Sequence, residues 1–69
     1  MTQQNVNIRP IQEKDFPEWL RLRKLLWDES TLDEHREEMI DIIEHFETQL
    51  VLVVEITANR LVGFLEASI

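Results

Sequence analysis

The chain has 69 residues, with 14 Asp and Glu against seven Lys and Arg, a formal net charge of −7 and no cysteine. This length allows one domain with a small core. The charge argues against a nucleic-acid-binding protein, because phosphate neutralisation requires clustered Lys and Arg, and it favours cationic partners.

The N-terminus carries no targeting signal, since residues 1–5 contain neither a basic segment nor the apolar stretch of a secretory or mitochondrial leader. No apolar run approaches the length of a membrane span. Together with the lack of cysteine, these features predict a cytoplasmic protein that does not associate with membranes. His35 and His45 have no companion ligands in metal-binding spacing, so no metal is expected.

A strand and a helix are predicted in the first part of the chain. Residues 6–9 alternate apolar and polar side chains, and Pro10, which cannot donate to a ladder, ends the strand. Asp15 followed by Glu18 resembles a capping box for a helix over residues 16–27. The apolar side chains of this helix recur at helical spacing, and they are Phe16, Trp19, Leu20, Leu22, Leu26 and Trp27. The side chains expected to face water are those of Glu18, Arg21 and Lys24.

A second helix begins after Thr31, because Thr31 and Glu34 have the spacing of a capping box. Its apolar stripe consists of Leu32, His35, Met39, Ile42, Ile43 and Phe46. His35 is expected to be a partly buried residue of this stripe. Between residues 28 and 47 nine acids stand against Arg36 alone. They form either a solvated face or a surface that attracts and binds cations.

Two strands complete the predicted β-α-α-β-β order of an α+β chain. Residues 50–56 are almost continuously apolar, as in a strand covered on both faces. Residues 57–60 form a hairpin turn, and residues 61–69 return as a strand in which Gly63 marks a bulge or a close approach. The pattern stops at Ile69, and we expect either more sequence or a partner to pair with the open edge of this strand.

Four residues are candidates for ligand binding. Trp27 precedes a turn that contains Asp28 and Glu29, and an aromatic face beside carboxylates suits a sugar ring that carries ammonium groups. The alternative for Trp27 is core packing. Glu66 points to the face opposite its neighbours, either as a surface residue or as a carboxylate that faces a cleft. No nucleophile elbow, phosphate loop or zinc pattern is present, so no catalytic residue is assigned.

Four segments together carry a family resemblance. They lie at residues 8–10, 19–27, 34–35 and 62–69, and they read IRP, WLRLRKLLW, EH and VGFLEASI. These segments resemble the opening of the aminoglycoside 6′-N-acetyltransferases, which belong to the GNAT superfamily of acyltransferases. The resemblance covers nearly the whole chain.

The resemblance implies a GNAT fold with a mixed, mainly antiparallel sheet, of which residues 1–69 are a single incomplete domain. It further implies a homodimer that transfers an acetyl group from acetyl-CoA to the 6′-amine of an aminoglycoside antibiotic. The segment that binds acetyl-CoA follows the matched region in the family. The chain as given is therefore expected to bind the acceptor without catalysing transfer.

The resemblance also bears on the candidate residues. Trp27 matches a tryptophan that lines the aminoglycoside cleft, and Glu66 matches an acidic position beside it. Asp28 and Glu29 occupy the adjoining loop, which begins with proline in many relatives. Two other functions stay open: a non-catalytic binding or dimerisation module for a cationic partner, and a GNAT enzyme that acts on another small amine or a peptide N-terminus.

Overall fold

The computed structural model describes residues 6–57 and 60–69. The elements are β1 (Asn7–Pro10), a 3-10 turn (Glu13–Asp15), α1 (Phe16–Leu26), α2 (Leu32–Glu44), β2 (Gln49–Thr57) and β3 (Arg60–Ser68). The described residues form a small α+β domain with two helices and an antiparallel three-stranded sheet. The predicted β-α-α-β-β order is confirmed, and the bounds of the strands and of α1 differ from the prediction by one residue.

The sheet has the order β1-β2-β3, so β2 lies in the centre and both of its neighbours are edge strands. Pro10 belongs to β1 and pairs with Leu52. An edge strand tolerates a proline whose nitrogen faces away from the neighbouring strand, because no ladder hydrogen bond is lost there. Thr57 pairs with Arg60 at the end of the β2–β3 hairpin. The turn is predicted over residues 57–60; Thr57 and Arg60 belong to the strands, and the central residues 58–59 lie outside the described residues.

A bulge interrupts the β2–β3 ladder beside Gly63. Val54 pairs with Gly63 and Glu55 pairs with Leu61, so Val62 is the extra residue. A Cβ atom on Gly63 would lie 3.6 Å from Val54 Cγ2, which is an ordinary contact. Of the two alternatives predicted for Gly63, the bulge is confirmed, and the glycine is not needed for a close approach of another group.

Both helices pack on the same face of the sheet, where the core lies. Trp19 and Met39 are fully buried and Val51 is 4% exposed, and Phe16, Leu20 and other partly buried side chains surround them. Trp19 meets Phe16 edge to face, with the ring centroids 6.0 Å apart. The prediction that Trp19 belongs to the core is confirmed. Neither helix in the described ranges has the length and apolar composition of a membrane span.

The prediction that the central strand is covered on both faces is wrong. Val51 and Val53 are buried beneath the helices, whereas Leu50 is 43% exposed. Register and strand alternation place a set of uncharged side chains on the opposite face, and we call it the open sheet face: Ile8, Pro10, Leu50, Leu52, Val54, Leu65 and Ala67. Both helices bury the other face, so apolar character on both sides of β2 does not mean that both sides are covered.

The capping box predicted for α1 is also wrong. The Asp15 carboxylate accepts hydrogen bonds from the Arg9 guanidinium at 2.6 and 2.8 Å and from the Gln12 N–H at 2.8 Å. Glu18 pairs with Arg21 at 2.6 Å, so Arg21 does not simply face water. Charged partners form stronger hydrogen bonds than a neutral N–H does, and they take both carboxylates away from the helix end.

The capping box of α2 is confirmed, since the Glu34 N–H donates to Thr31 Oγ1 at 3.1 Å and the Thr31 N–H donates to Glu34 Oε1 at 2.7 Å. The apolar stripe is narrower than predicted. His35 and Met39 are buried, but three members are exposed: Leu32 at 44%, Ile43 at 43% and Phe46 at 74%. Phe46 lies beyond the end of α2 at Glu44, where the helical spacing no longer applies.

Candidate functional site

A pocket of about 310 Å³ lies where α1 ends and α2 begins. Its lining residues are Arg23, Trp27, Glu29, Ser30, His35 and Glu38. The short connection between Leu26 and Leu32 places the last turn of α1 beside the first turns of α2. We call this cavity the Trp27 pocket.

Arg23 is the charged centre of the pocket and is only 3% exposed. Its Nε donates to His35 Nδ1 at 3.2 Å, and its terminal nitrogens donate to the carboxylates of Glu66, at 2.5 Å, and of Glu38. A buried guanidinium is costly unless such partners satisfy its charge and its N–H groups. The network therefore ties α1 to both α2 and β3.

His35 is fully buried, whereas the sequence predicts a partly buried residue. A guanidinium nitrogen can only donate, so His35 Nδ1 must accept the bond from Arg23. His35 Nε2 then carries the proton and donates to the Trp27 carbonyl oxygen at 2.9 Å. This neutral tautomer holds the C-terminal end of α1 against α2.

Trp27 forms one wall of the pocket and is 41% exposed. The Arg23 guanidinium carbon lies 5.0 Å from the centre of the indole ring, at cation–π distance. Phe64 contacts the ring edge to face, with the centroids 6.0 Å apart. Trp27 thus packs against the rest of the domain and also presents ring surface to solvent. Arg23 already uses part of the face that could receive an external cation.

The loop after Trp27 separates its two predicted carboxylates. Glu29 lines the pocket, whereas Asp28 is exposed and does not belong to the lining. Lys24 Nζ donates to the carbonyl oxygens of Asp28 and Ser30 at 2.6 and 2.7 Å. Lys24 therefore holds the loop in place, which corrects the prediction that it faces water.

Glu66 lies behind the pocket, between β3 and α1. Its Oε2 accepts hydrogen bonds from Trp19 Nε1 at 2.9 Å and from Arg23, and its side chain is 18% exposed. It points away from Leu65 and Ala67, as strand alternation predicts. Its position suits an indirect role, in which it orients Arg23 and, through Arg23, the Trp27 ring.

The pocket region has an excess of negative charge. Three carboxylates, those of Glu29, Glu38 and Glu66, stand against the guanidinium of Arg23 and the ammonium group of Lys24, which binds the loop carbonyls. Glu66 and Glu38 pair with Arg23, which leaves Glu29 at the pocket wall without an ion pair among the described residues. Within residues 6–57 and 60–69, no group of three or more His, Asp or Glu side chains could hold a metal ion.

Sequence reasoning does not identify Arg23, His35 and Glu38 as parts of the site. A signal is present, because Trp19, Arg23 and Trp27 follow one another at intervals of four residues and so share one face of α1. A charged residue between two tryptophans on a buried face requires partners of opposite charge. The two acids that supply them lie on other elements, Glu38 on α2 and Glu66 on β3.

Comparison of the chain with protein-family models, curated proteins and solved structures finds no match in any of the three.

Proposed function

We propose that this chain is the acceptor-binding part of an aminoglycoside 6′-type N-acetyltransferase, and that the Trp27 pocket binds an amino sugar. The observation that carries the proposal is an exposed indole surface beside the free carboxylate of Glu29 in a pocket of negative charge. The resemblance of residues 19–27 and 62–69 to that family supports the choice of substrate class.

The pocket suits one ring of a polycationic sugar. Its volume of about 310 Å³ lies at the lower end of the usual range for small-molecule sites, so the rest of the ligand would remain outside. The ring would lie against the exposed part of Trp27, with an ammonium group at Glu29. The exposed acids of α2 would attract the remaining ammonium groups over a longer range.

The same charges argue against the pocket as the site of the acetyl donor. The pyrophosphate of acetyl-CoA requires backbone N–H groups or basic side chains. The basic group in the lining is Arg23, and Glu66 and Glu38 already neutralise it. We therefore assign the pocket to the acceptor alone, and the homodimer and the transfer reaction are expectations from the resemblance.

Calorimetric titration of the chain with kanamycin at low and moderate salt tests the proposal. Glu29→Gln should weaken binding by about fivefold to tenfold, as expected for the loss of one charged hydrogen bond. Asp28→Asn is the matched control, because it removes the same charge from the neighbouring residue outside the lining, and it should change the affinity by less than about twofold. Equal losses of affinity in the two variants would mean that the ligand is held only by diffuse charge attraction, and they would contradict the proposal that the Trp27 pocket is the binding site.

The nature of the acceptor is tested with a second ligand and a second variant. Spermine carries comparable positive charge but no ring, so it should bind more weakly than kanamycin and should respond little to Trp27→Phe. The phenylalanine variant keeps an aromatic contact with Phe64 but reduces the surface available to a sugar. If spermine binds more tightly and kanamycin does not respond to the variant, the chain is a receptor for linear polyamines.

A further inference from the structure

A second, apolar groove lies between α2 and the segment that precedes and opens α1. It has a volume of about 530 Å³, and its apolar lining consists of Ile11, Phe16, Ile40 and Ile43. Ile40 and Ile43 are 49% and 43% exposed. The groove uses the C-terminal half of α2, whereas the Trp27 pocket uses His35 and Glu38 in the N-terminal half. We call it the Ile40 groove.

The charges around the Ile40 groove are negative. Glu13 and Glu44 belong to the lining, and Glu37 lies three residues before Ile40 on the same side of α2. Among the described residues, neither Glu13 nor Glu44 forms an ion pair. Lys14 follows Glu13 and lines an adjoining depression with Gln12, Glu13 and Pro17 without pairing with Glu13. His45 follows Glu44, and its own hydrogen bond goes to the Asp41 carbonyl.

Four of the five arginines of the chain pair with acids outside the groove, and the fifth, Arg60, acts on Glu18 at the other side of the domain through its charge alone. Arg9 pairs with Asp15 and Glu55. The other pairs are Arg21 with Glu18, Arg23 with Glu38 and Glu66, and Arg36 with Asp33. The carboxylates of the groove are therefore available to cations from outside the chain.

We propose that the Ile40 groove binds a basic amphipathic helix of a partner protein. Such a helix buries its apolar side chains in a groove and places its flanking lysines or arginines against acids at the border. In this chain the apolar side chains would contact Phe16, Ile40 and Ile43, and the cations would meet Glu13 and Glu44. The groove is apart from the Trp27 pocket, so this inference stands whether or not the pocket binds an amino sugar.

A second copy of the chain does not fit as the occupant. Each copy has a net charge of −7, and α2 carries most of its acids on exposed positions. In α1, Arg21 and Arg23 are engaged in ion pairs and Lys24 binds the loop carbonyls. Neither helix therefore presents a free basic face to the groove of another copy.

The test uses a synthetic helical peptide of leucine and lysine, with leucines spaced i, i+3, i+4 and i+7, and the full chain labelled with ¹⁵N. Amide shifts should change around Phe16, Ile40 and Ile43. A peptide with the same composition in scrambled order and one with glutamate in place of lysine are the ligand controls. Affinity for the lysine peptide should fall with added salt, because the acids of the groove are exposed.

Matched variants of the protein locate the site. The double variant Ile40→Ser, Ile43→Ser should lose about tenfold or more in affinity, because central apolar contacts dominate such interfaces. Leu25→Ser, Leu26→Ser removes two apolar side chains of α1 that are 71% and 62% exposed, and it should lose less than about twofold. Glu44→Lys tests the charge of the groove without changing its apolar side chains. It should lower the affinity for the lysine peptide, and Asp28→Lys, which makes the same charge change outside the groove, should lower the affinity less.

Four results would overturn the inference. The first is equal binding of the scrambled peptide, and the second is equal loss of affinity in the two double variants together with no difference between Glu44→Lys and Asp28→Lys. The third is a dimer in sedimentation equilibrium that Ile40→Ser, Ile43→Ser dissociates, because the occupant would then be a second copy. The fourth is a set of amide shifts confined to Trp27 and Glu29, because the peptide would then bind in the Trp27 pocket.

Discussion

The Arg9 guanidinium joins three parts of the fold through its hydrogen bonds to Asp15 and Glu55. The Asp15 side chain is only 2% exposed, and its distances to Arg9 are 2.6 and 2.8 Å. The hydrogen bond from Arg9 is the main reason why the pKa of Asp15 lies below its ordinary value, although burial acts in the opposite direction. The same contacts raise the pKa of Arg9. This cluster takes the place of a conventional cap at the start of α1.

Asp15→Asn should destabilise the domain and reduce its acid sensitivity. The pKa of Asp15 is depressed in the folded state, so its contribution is present above the unfolded pKa, about 3.9, and is lost as pH falls through the folded pKa. We expect a loss of about 2 to 3 kcal/mol in the free energy of unfolding at pH 7, because the variant leaves Arg9 with one acidic partner fewer.

Urea unfolding at a series of pH values measures both effects. The variant should be less stable than the parent at pH 7, and the difference should shrink as the pH falls below the unfolded pKa of about 3.9, because the unfolded parent then takes up a proton before the folded parent does. Glu13→Gln is the control, since Glu13 is exposed and its removal should change the stability by less than about 0.5 kcal/mol. A difference that stays constant down to pH 2 would show that the charge of Asp15 is not what stabilises the fold.

Arg23 shows how one buried charge can order a site. It donates hydrogen bonds to His35 and Glu38 on α2 and to Glu66 on β3. Its guanidinium carbon lies 5.0 Å from the centre of the Trp27 ring. His35 can accept from Arg23 only as the neutral tautomer protonated on Nε2, and that proton then binds the Trp27 carbonyl. The orientation of Trp27 therefore depends on residues that do not themselves face a ligand.

At the scale of the elements, α2 has a complete N-terminal cap but buries only a narrow face against the rest of the domain. Thr31 and Glu34 exchange hydrogen bonds across the first turn, and the bond from the Thr31 N–H lowers the pKa of Glu34. Of the predicted stripe, only His35 and Met39 are fully buried. The local cap should therefore matter more for α2 than for a helix with a wide buried face.

Thr31→Ala should lower the free energy of unfolding by about 1 kcal/mol, which is the usual value for the loss of a side-chain N-cap. Thr31→Ser keeps the hydroxyl oxygen that accepts from the Glu34 N–H, so it should remain within about 0.5 kcal/mol of the parent. Thermal and urea unfolding followed by far-ultraviolet circular dichroism measure both variants. Equal stability of the alanine and serine variants would show that the capping bonds contribute nothing measurable.

At the scale of the whole molecule, net charge and apolar surface act in opposite directions. The charge of −7 keeps copies apart, while the open sheet face exposes Ile8 at 64%, Leu65 at 54% and Leu50 at 43%. An apolar surface that extends over three strands usually marks a place of association. Salt screens the repulsion and leaves apolar attraction intact, so association should increase with ionic strength.

Leu65→Lys should reduce this association without unfolding the domain, because Leu65 lies on the open sheet face. Phe64→Lys is the matched comparison: Phe64 is the neighbouring residue, but it faces the helices and contacts Trp27. We expect Phe64→Lys to cost about 2 kcal/mol or more, since it brings a charge into the packed face, and Leu65→Lys to cost less than about 1 kcal/mol.

Light scattering over a range of salt concentrations and urea unfolding distinguish the two variants. The parent should scatter more at high salt, and Leu65→Lys should scatter less than the parent under the same conditions. If both variants are equally unstable, the open sheet face is covered in solution. If salt leaves the scattering of the parent unchanged, the face does not drive association.

The sequence alone determined the element order, the bounds of the strands and of α1 to within one residue, and the cap of α2, because each depends on spacing or on bonds between residues a few positions apart. It also placed Trp27 and Glu29 in one turn. It could not separate Glu29 from Asp28, since the loop carbonyls held by Lys24 decide which carboxylate reaches the pocket.

Only the tertiary structure decided which polar groups meet. Arg23 and Glu66 are 43 residues apart in sequence, and Arg9 and Glu55 are 46 apart, so no local pattern connects them. Contacts between elements also decided that Asp15 binds Arg9 instead of capping α1, and they fixed the tautomer of His35. The packing of both helices on one side of the sheet left its other apolar face open. Buried charges take the strongest partner that the fold brings within reach, and that partner is known only when the elements have packed.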